Sequence, residues 1–578
     1  MAHPPTDDQT MPANQPSFWH RHLWPLLSLA ALFIGLVLLH LIWLALNDRP
    51  PMWDSALHLA NALEYYRYLQ GETFSVSEFL SISYYYPPLF YLSLLPLFLV
   101  RIGPDSATLL HLPFLLALML SVYYLGMTFT GRRTAGVTAA AWCVLFPHVL
   151  WLSREVMIDL ETVAWTAGLV ALAVASQRFR RRTVTLLWGL AGGLAVLYKW
   201  SIVFYAGPPL LWLLAAAFRG ESDRDTRRPA AHNILSGLLL GAVVAWPWYL
   251  KNFPFLLSHF QPYTQGLGPV EGDPGVWTLA GWLFYLRALL GWQLFLPFFL
   301  LFVFAVVWAI RRRPPHRGLL FCWLGGTYLI FSLFANKAPR HITPVLPAVA
   351  VLLVIAVWGV RSTILRRGLI TAGCLVAVFQ AWMVSFGIPW LPVSVTAIPL
   401  PAPAFQERII ECQAGDPVAE TIRTWPDGWF LYHQEAFGIF GPPREENWRI
   451  PDILAGCATD AADTEQAPSL GLVPDCTRFN VWSFRSIVRI MDLELRIWRV
   501  GEPEENGRNF DPYRYVLVTC GLQGPVWGTE RNAPLMRYLR DHPERFVPLA
   551  EWPLPDDSVA LLYKNLVVRE TGEDFRFR

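Results

Sequence analysis

Residues 23–58 read LWPLLSLAALFIGLVLLHLIWLALNDRPPMWDSALH, and this stretch decides how the rest of the chain is read. From Leu23 to Leu46 no side chain carries a fixed charge, and a run of about 24 apolar residues is enough to cross a bilayer. It is longer than the apolar core of a secretory signal, and no small-x-small cleavage site follows it. It therefore reads as a retained membrane helix. Pro51-Met52-Trp53-Asp54-Ser55-Ala56-Leu57-His58 comes next, which puts the Asp54 carboxylate at the outer mouth of that helix. An acid held at a membrane surface beside an amphipathic helix is a functional-site candidate.

The 578 residues are 54% hydrophobic and only 16% charged, which places the chain among polytopic membrane proteins and excludes an ordinary soluble one. No basic tract points to nucleic acid. The 27 Trp fit bilayer interfaces, and the 47 Pro fit membrane helices that line cavities. Before Pro389 the charges cluster between apolar runs. After about Pro399 the composition is that of a soluble domain, and Pro389 to Pro403 reads as an extended linker. The expected division is a cytoplasmic tail at 1–22, a transmembrane domain at 23–390 with its first outer loop at 47–106, and an extracytoplasmic α/β domain at 391–578.

Basic clusters mark cytoplasmic loops. They are Arg132-Arg133; Arg178 with Arg180-Arg181-Arg182; Arg224 with Arg227-Arg228; Arg311-Arg312-Arg313; and Arg361 with Arg366-Arg367. Helical runs fit between them at roughly 107–130, 134–152, 160–177, 184–198, 202–218, 233–250, 291–310, 318–335, 342–360 and 368–388. With the first helix they make about eleven crossings. All five clusters share one side only if the N-terminus lies there too and Tyr84–Val100 stays in the interface. The segments 47–106, 153–159, 199–201, 251–290 and 336–341 and the C-terminal domain then share the outer face. No internal repeat is visible, so a transporter built on inverted repeats has little support.

The outer segments hold the unusual polar residues. Asp54 to Gln70 reads as an amphipathic helix, with Asp54, His58, Asn61 and Tyr65 on one face. A carboxylate and an imidazole one turn apart suit a general base and a proton relay. The competing reading of Asp54 is a helix N-cap, although no Glu or Gln follows three residues on. His58 by itself also fits a packing role. Tyr84-Tyr85-Tyr86-Pro87-Pro88 fixes an extended entry into a short helix, and its rings suit an interfacial belt or a sugar-stacking platform. In Ser153-Arg154-Glu155-Val156-Met157-Ile158-Asp159, Glu155 and Asp159 are expected to face alike at i, i+4, and Arg154 to hold a phosphate. The alternative is helix-end charges snorkelling to water. Lys199, in Tyr198-Lys199-Trp200-Ser201, and Lys337, Arg340 and His341, in Asn336-Lys337-Ala338-Pro339-Arg340-His341, lie outside against the usual charge bias. Cations there need an anion, either a lipid phosphate or a protein carboxylate.

The order of these elements resembles the GT-C integral-membrane glycosyltransferases. Most similar are the bacterial members related to protein O-mannosyltransferases and lipid A aminoarabinose transferases. The resemblance runs over roughly 20–390 and includes Trp246-Pro247-Trp248-Tyr249 with Lys251-Asn252. It implies a sugar donor on a polyprenyl phosphate, transfer on the periplasmic face, and an acceptor that is a glycan, a lipid or a protein. It implies Asp54 as catalytic base, Asp159 as the second acidic position, and Lys199 and Arg340 as holders of the donor phosphate. His58, Tyr86, Arg154, Glu155, Lys337 and His341 are the further substrate-binding candidates. The chain departs from the pattern at Ser55, where many members carry Glu, and at Tyr86, where many carry His or Glu. A divalent metal is therefore left open.

Cys143, Cys322 and Cys374 fall in membrane helices as apolar fillers. Cys412, Cys457, Cys476 and Cys520 lie in the outer domain, where one or two disulfides are expected, with three ways to make both. The runs 429–432, 515–518 and 559–563 read as strands and 532–542 as a helix, hence a small α/β domain. Three functions compete: a glycosyltransferase using a lipid-linked donor and inverting the anomeric centre, a flippase or transporter of a lipid-linked substrate, and a scaffold. A transporter should carry its charges at mid-membrane depth. Here they gather at the outer helix ends, which favours the enzyme.

Overall fold

The computed structural model describes residues 18–219, 224–261, 266–399, 405–413, 416–425, 428–435, 441–462, 467–504 and 507–568. Most of the expected 1–22 tail and residues 400–403 of the expected linker lie outside the described residues. The first crossing is α1 (Phe18–Ala45). Its chain turns at Pro50-Pro51 into α2 (Trp53–Gln70), and α3 (Val76–Phe79), α4 (Leu89–Phe98) and α5 (Pro104–Thr108) complete the first loop. The amphipathic face expected of α2 is real: Leu59, Ala62, Leu63 and Tyr65 bury against Phe90, Tyr91, Leu94 and Phe98 of α4. With ten residues α4 is about 15 Å long, half a bilayer core, and it packs on α2.

The bundle continues as α6 (His111–Thr130), α7 (Arg133–Leu145), α8 (Pro147–Leu152), α9 (Asp159–Ala175), α10 (Arg182–Tyr198), α11 (Ile202–Phe218), α12 (Arg224–Gln261) and α13 (Leu267–Val270). Then come α14 (Leu279–Ala288), a π-helical turn (Leu289–Leu294), α15 (Phe295–Arg312), α16 (Arg317–Ser332), a 3-10 turn (Pro339–Val345), α17 (Leu346–Trp358) and α18 (Thr363–Phe386). Among the described residues six segments are long and apolar enough to cross a membrane: Leu23–Ala45, Pro104–Thr130, Arg228–Gln261, Leu279–Arg312, Pro339–Trp358 and Thr363–Phe386. The other five expected crossings fall on α7 with α8, α9, α10, α11 and α16, none of which reaches 18 residues in one helix. Length and composition therefore support fewer crossings than the charge clusters alone suggested. The short helices are packed among others; α17, for instance, is buried along nearly its whole length.

Small residues let two of these helices touch. Gly189 and Gly193 on α10 face Gly237 and Gly241 on α12, each pair spaced by four. A Cβ on Gly189 would lie 2.0 Å from the Gly237 carbonyl oxygen, and one on Gly193 would lie 2.5 Å from that of Gly241. Such seams replace the hydrophobic effect, which cannot drive helices together in lipid, with close backbone packing.

The C-terminal domain begins earlier than a linker would allow. β1 (Ser394–Pro399) pairs antiparallel with β4 (Gly428–His433), so part of the stretch read as linker is a strand. Between them lies the hairpin of β2 (Phe405–Gln413) and β3 (Asp416–Trp425). α19 (Ile450–Asp460), β5 (Ser469–Leu472), α20 (Val481–Ile490), β6 (Arg496–Arg499), β7 (Tyr515–Pro525), α21 (Val526–Thr529), α22 (Asn532–Asp541), β8 (Phe546–Pro553) and β9 (Val559–Asn565) complete an α/β domain. Its sheet runs β3-β2-β7-β5-β6, with β9 on β7 and β8 on β9. β7 serves three neighbours because it bends at Gly521 and Gly524, whose φ of +122° and +110° other residues rarely adopt. Cys412 and Cys520 form a disulfide between β2 and β7, while Cys457 and Cys476 are free and buried.

The loop around α13 docks on the chain just before the 3-10 turn. Gly268 lies against the Ala335 carbonyl, Glu271 accepts from the Asn336 amide at 3.2 Å, and Asp273 accepts the Lys337 backbone N–H at 2.7 Å. Burial raises the Asp273 carboxyl from its ordinary 3.8 to about 7; Glu271 adds to this, and Lys337 and Arg287 oppose it. Burial likewise lowers Lys337 from 10.5 to about 8, against the pull of Asp273.

Two outcomes are expected. Gly189→Ile should wedge α10 from α12 and lower the melting temperature in detergent, whereas Gly207→Ile, where no atom lies within 4 Å of the added carbon, should not. A raised folded-state pKa gives Asp273 a stabilising contribution that is full below its ordinary 3.8 and fades as pH climbs to about 7. Melting curves of Asp273→Asn should lack that part of the decline between those pH values; a decline equal to wild type would show that Asp273 does not cause it.

Candidate active site

Five separated segments meet in one open cavity. α2 brings Asp54 and His58, the loop before α4 brings Tyr85 and Tyr86, and the start of α9 brings Asp159. The α10–α11 corner brings Lys199, Trp200 and Ser201, and the 3-10 turn brings Arg340 and His341. The two acids expected from separate outer loops thus face the same space.

Each acid is matched with a cation. Arg340 Nη2 donates to Asp54 Oδ2 at 2.6 Å, and Lys199 Nζ donates to Asp159 Oδ1 at 2.8 Å. The second pair is the deeper one, its side chains 12% and 5% exposed against 27% and 37% for the first. Asp54 occupies the first turn of α2, whose N-cap is Met52 with no side-chain cap, so Asp54 is not itself the cap. The turn carrying Arg340 is fixed from below. Gln293 donates to the Pro339 carbonyl at 2.8 Å, Trp323 donates to that of Pro344 at 3.1 Å, and Ala338 N–H donates to His341 Nδ1 at 3.3 Å.

His58 is buried, and burial holds its ring down at about 4 against the opposing pull of Asp54, so it is neutral at neutral pH. Its Nδ1 lies 3.1 Å from Tyr91 Oη, which in turn accepts from Asn61 Nδ2 at 3.3 Å. The ring meets Tyr86 edge-on at 4.8 Å. Tyr65, expected on the same face, stacks on Tyr91 instead of entering the cavity.

Three candidates belong elsewhere. Arg154 is buried, donates to Ser385 Oγ at 2.5 Å, and lies 5.4 Å over the Trp43 ring. Glu155 is buried and receives Arg478 of the C-terminal domain at 3.4 Å. Lys337 donates to the Ser332 and Phe334 carbonyls at 2.9 and 2.8 Å. The expectation for Glu155 rested on helical spacing, but α8 ends at Leu152 and α9 starts at Asp159, so 153–158 is loop and i, i+4 does not align Glu155 with Asp159. Lys337 is consumed by the free carbonyls at the end of α16. Tyr205, Phe331 and Phe334 line the cavity without a signal in the chain; Tyr85, Met157, Trp200, Ser201 and Asn336 fall within stretches that had one. Among the described residues no three His, Cys, Asp or Glu gather to hold a metal ion, and both cavity acids are engaged by cations.

No family model matches the chain. Its sequence is 27% identical over 260 residues to the "Undecaprenyl phosphate-alpha-4-amino-4-deoxy-L-arabinose arabinosyl transferase 1" of Sodalis glossinidius (strain morsitans), covering 40% of this chain and 43% of that protein. It is 28% identical over 178 residues to an uncharacterized protein of Aquifex aeolicus (strain VF5), covering 30% and 33%. The chain thus spans less than half the length of the curated relatives it matches. The structural likeness runs further. ArnT from Cupriavidus metallidurans superposes with a TM-score of 0.55 in its apo state, at 14% identity over 94% of this chain and 98% of that one. Bound to undecaprenyl phosphate, it gives 0.53 at 13% identity over 96% and 100%. Six long apolar helices, a C-terminal α/β domain and the full-length superposition agree: the chain has the GT-C fold, in the form seen in ArnT.

Proposed function

We propose that the chain is an integral membrane glycosyltransferase that moves a sugar from a polyprenyl-phosphate donor to a hydroxyl acceptor at the outer face of the cytoplasmic membrane. The observation that carries this reading is the cavity holding two acids and two cations as the pairs Asp54–Arg340 and Asp159–Lys199. The Sodalis relative's name specifies an undecaprenyl-phosphate sugar, and ArnT was captured with undecaprenyl phosphate. Those names support a lipid-linked donor here. The donor sugar, hexosyl or pentosyl, is to be identified by assay, and the acceptor is a glycolipid, a glycan or a protein.

The residues divide the work by chemistry. Asp54 takes the proton of the acceptor hydroxyl. That oxygen bonds to the anomeric carbon from the face opposite the phosphate, and the carbon–oxygen bond to phosphate breaks with its electron pair. The anomeric centre inverts. Arg340 and Lys199 meet the charge that develops on the departing phosphate, the place where fixed cations lower a barrier most. Before donor arrives, both cations are held by carboxylates, which keeps them placed at small reorganisation cost. Tyr85 and Tyr86 offer rings to the sugar, and neutral His58 offers an N–H. Asp159 orients Lys199. No step is routed through a metal.

The orientation proposed puts the five arginine clusters in the cytoplasm and the cavity with domain 391–578 outside, with the catalytic domain spanning 23–390. Purified protein given a panel of undecaprenyl-phosphate sugars and membrane extract should release undecaprenyl phosphate. Asp54→Asn should cut that release by about 100-fold or more, the usual worth of a general base, with melting unchanged; near-normal release would remove Asp54 from its role. Arg340→Ala should raise the apparent KM for donor by about tenfold, the scale of one charge-assisted hydrogen bond. An unchanged KM would separate Arg340 from the phosphate.

A further inference from the structure

The corner that carries Asp54 is not held by the membrane domain alone. Residues 475–483 of the outer domain grip Pro50, Pro51 and Trp53 at the entry to α2. Trp53 N–H donates to the Thr477 carbonyl at 3.2 Å, Arg478 Nη1 donates to the Pro50 carbonyl at 2.6 Å, and Ser483 Oγ donates to that of Pro51 at 3.1 Å. The Trp53 indole donates to the Asp475 carboxylate. The gripping segment is itself rigid: Asn480 caps α20 through the Trp482 and Ser483 N–H groups and donates back to the Cys476 and Thr477 carbonyls. α2 has no side-chain N-cap of its own, so the Thr477 carbonyl engages a first-turn N–H that α2 cannot satisfy internally.

Arg478 reaches a second element as well. Its Nη2 meets Glu155 Oε1 at 3.4 Å, both side chains less than a tenth exposed. Glu155 belongs to the loop that leads into Asp159, and that loop is tied to α2 directly, Val156 N–H donating to Ser55 Oγ at 2.8 Å. One guanidinium therefore touches the two chain segments that deliver the two cavity acids.

We infer that Arg478, with Ser483, is a positioning residue: the outer domain sets the placement of Asp54 and Asp159 through these contacts. The inference deepens the glycosyltransferase reading and rests on it for its catalytic consequence, whereas the grip itself can be observed without activity. Displacement of a catalytic group by about 1 Å can cost 100-fold in rate, so a loosened corner is expected to lower kcat while leaving donor affinity nearly intact.

The test uses full-length protein in detergent and four variants. Ser483→Ala deletes one hydrogen bond and no charge. Arg478→Lys keeps the charge but cannot serve both Pro50 and Glu155. Arg478→Ala removes both contacts. Arg545→Ala is the control: that side chain is equally buried in the outer domain but serves Asp511 and Asn565, away from the corner. Hydrogen–deuterium exchange should rise at the amides of 53–58 and 153–158 in the Ser483 and Arg478 variants and not in Arg545→Ala. In the undecaprenyl phosphate release assay, kcat should fall by about tenfold or more in Arg478→Ala, with partial rescue in Arg478→Lys, while the KM for donor stays within about twofold. Unchanged exchange at both segments would overturn the grip. Raised exchange with wild-type kcat would overturn the positioning role. Equal kcat losses in Arg478→Ala and Arg545→Ala would reduce the effect to general instability and likewise overturn it. If wild type releases nothing from any donor while exchange rises as expected, the grip stands and the glycosyltransferase reading falls.

Discussion

Charge near hydrocarbon must be matched, and the cavity is built around that requirement. An isolated carboxylate or guanidinium taken out of water is costly, and the cost is met by a partner in good geometry. Asp54 and Arg340 are 286 residues apart in sequence, and Asp159 and Lys199 are 40 apart, yet each pair closes to hydrogen-bond distance. Closing them fixes where α2, the start of α9, the α10–α11 corner and the 3-10 turn end relative to one another. Many of the other polar contacts nearby serve those ends. Gln293 and Trp323 hold the turn of Arg340, and Lys337 satisfies the end of α16.

Much of this was legible in the chain. The apolar run 23–46 followed by Asp54, the amphipathic pattern of 54–70 and the cations at 199 and 340 are local signals, and local signals survive folding. What failed was inference across a break. Glu155 and Asp159 have helical spacing in sequence, but a loop separates α8 from α9, so the spacing carries no geometry. Arg154 looked like a phosphate ligand because its true partners, Ser385 and the Trp43 ring, are remote in sequence. The crossings differ in length for another reason. Helices surrounded by other helices need neither the length nor the apolarity of lipid-facing ones, and α9 keeps buried Glu161, Thr162 and Thr166 on that account.

Two departures from the resembled family acquire a local explanation. Ser55, where many members carry Glu, accepts the Val156 N–H and so joins α2 to the loop before Asp159. Tyr86, where many carry His or Glu, packs its ring on His58 and lines the cavity. A small hydroxyl and an aromatic ring, in place of two titratable groups, leave the cavity with as many acids as cations among the ion pairs described.

The contact between Arg478 and the Pro50 carbonyl spans 428 residues of chain. Chains emerge from the ribosome N-terminus first. The Asp54 corner is therefore made early and must wait, with its Trp53 N–H and Pro50 and Pro51 carbonyls unclaimed, until synthesis has passed Ser483. A nascent or truncated chain can insert its first helices and still lack a finished cavity. The order of synthesis thereby withholds the assembled site until the outer domain has folded, a form of timing written into the topology.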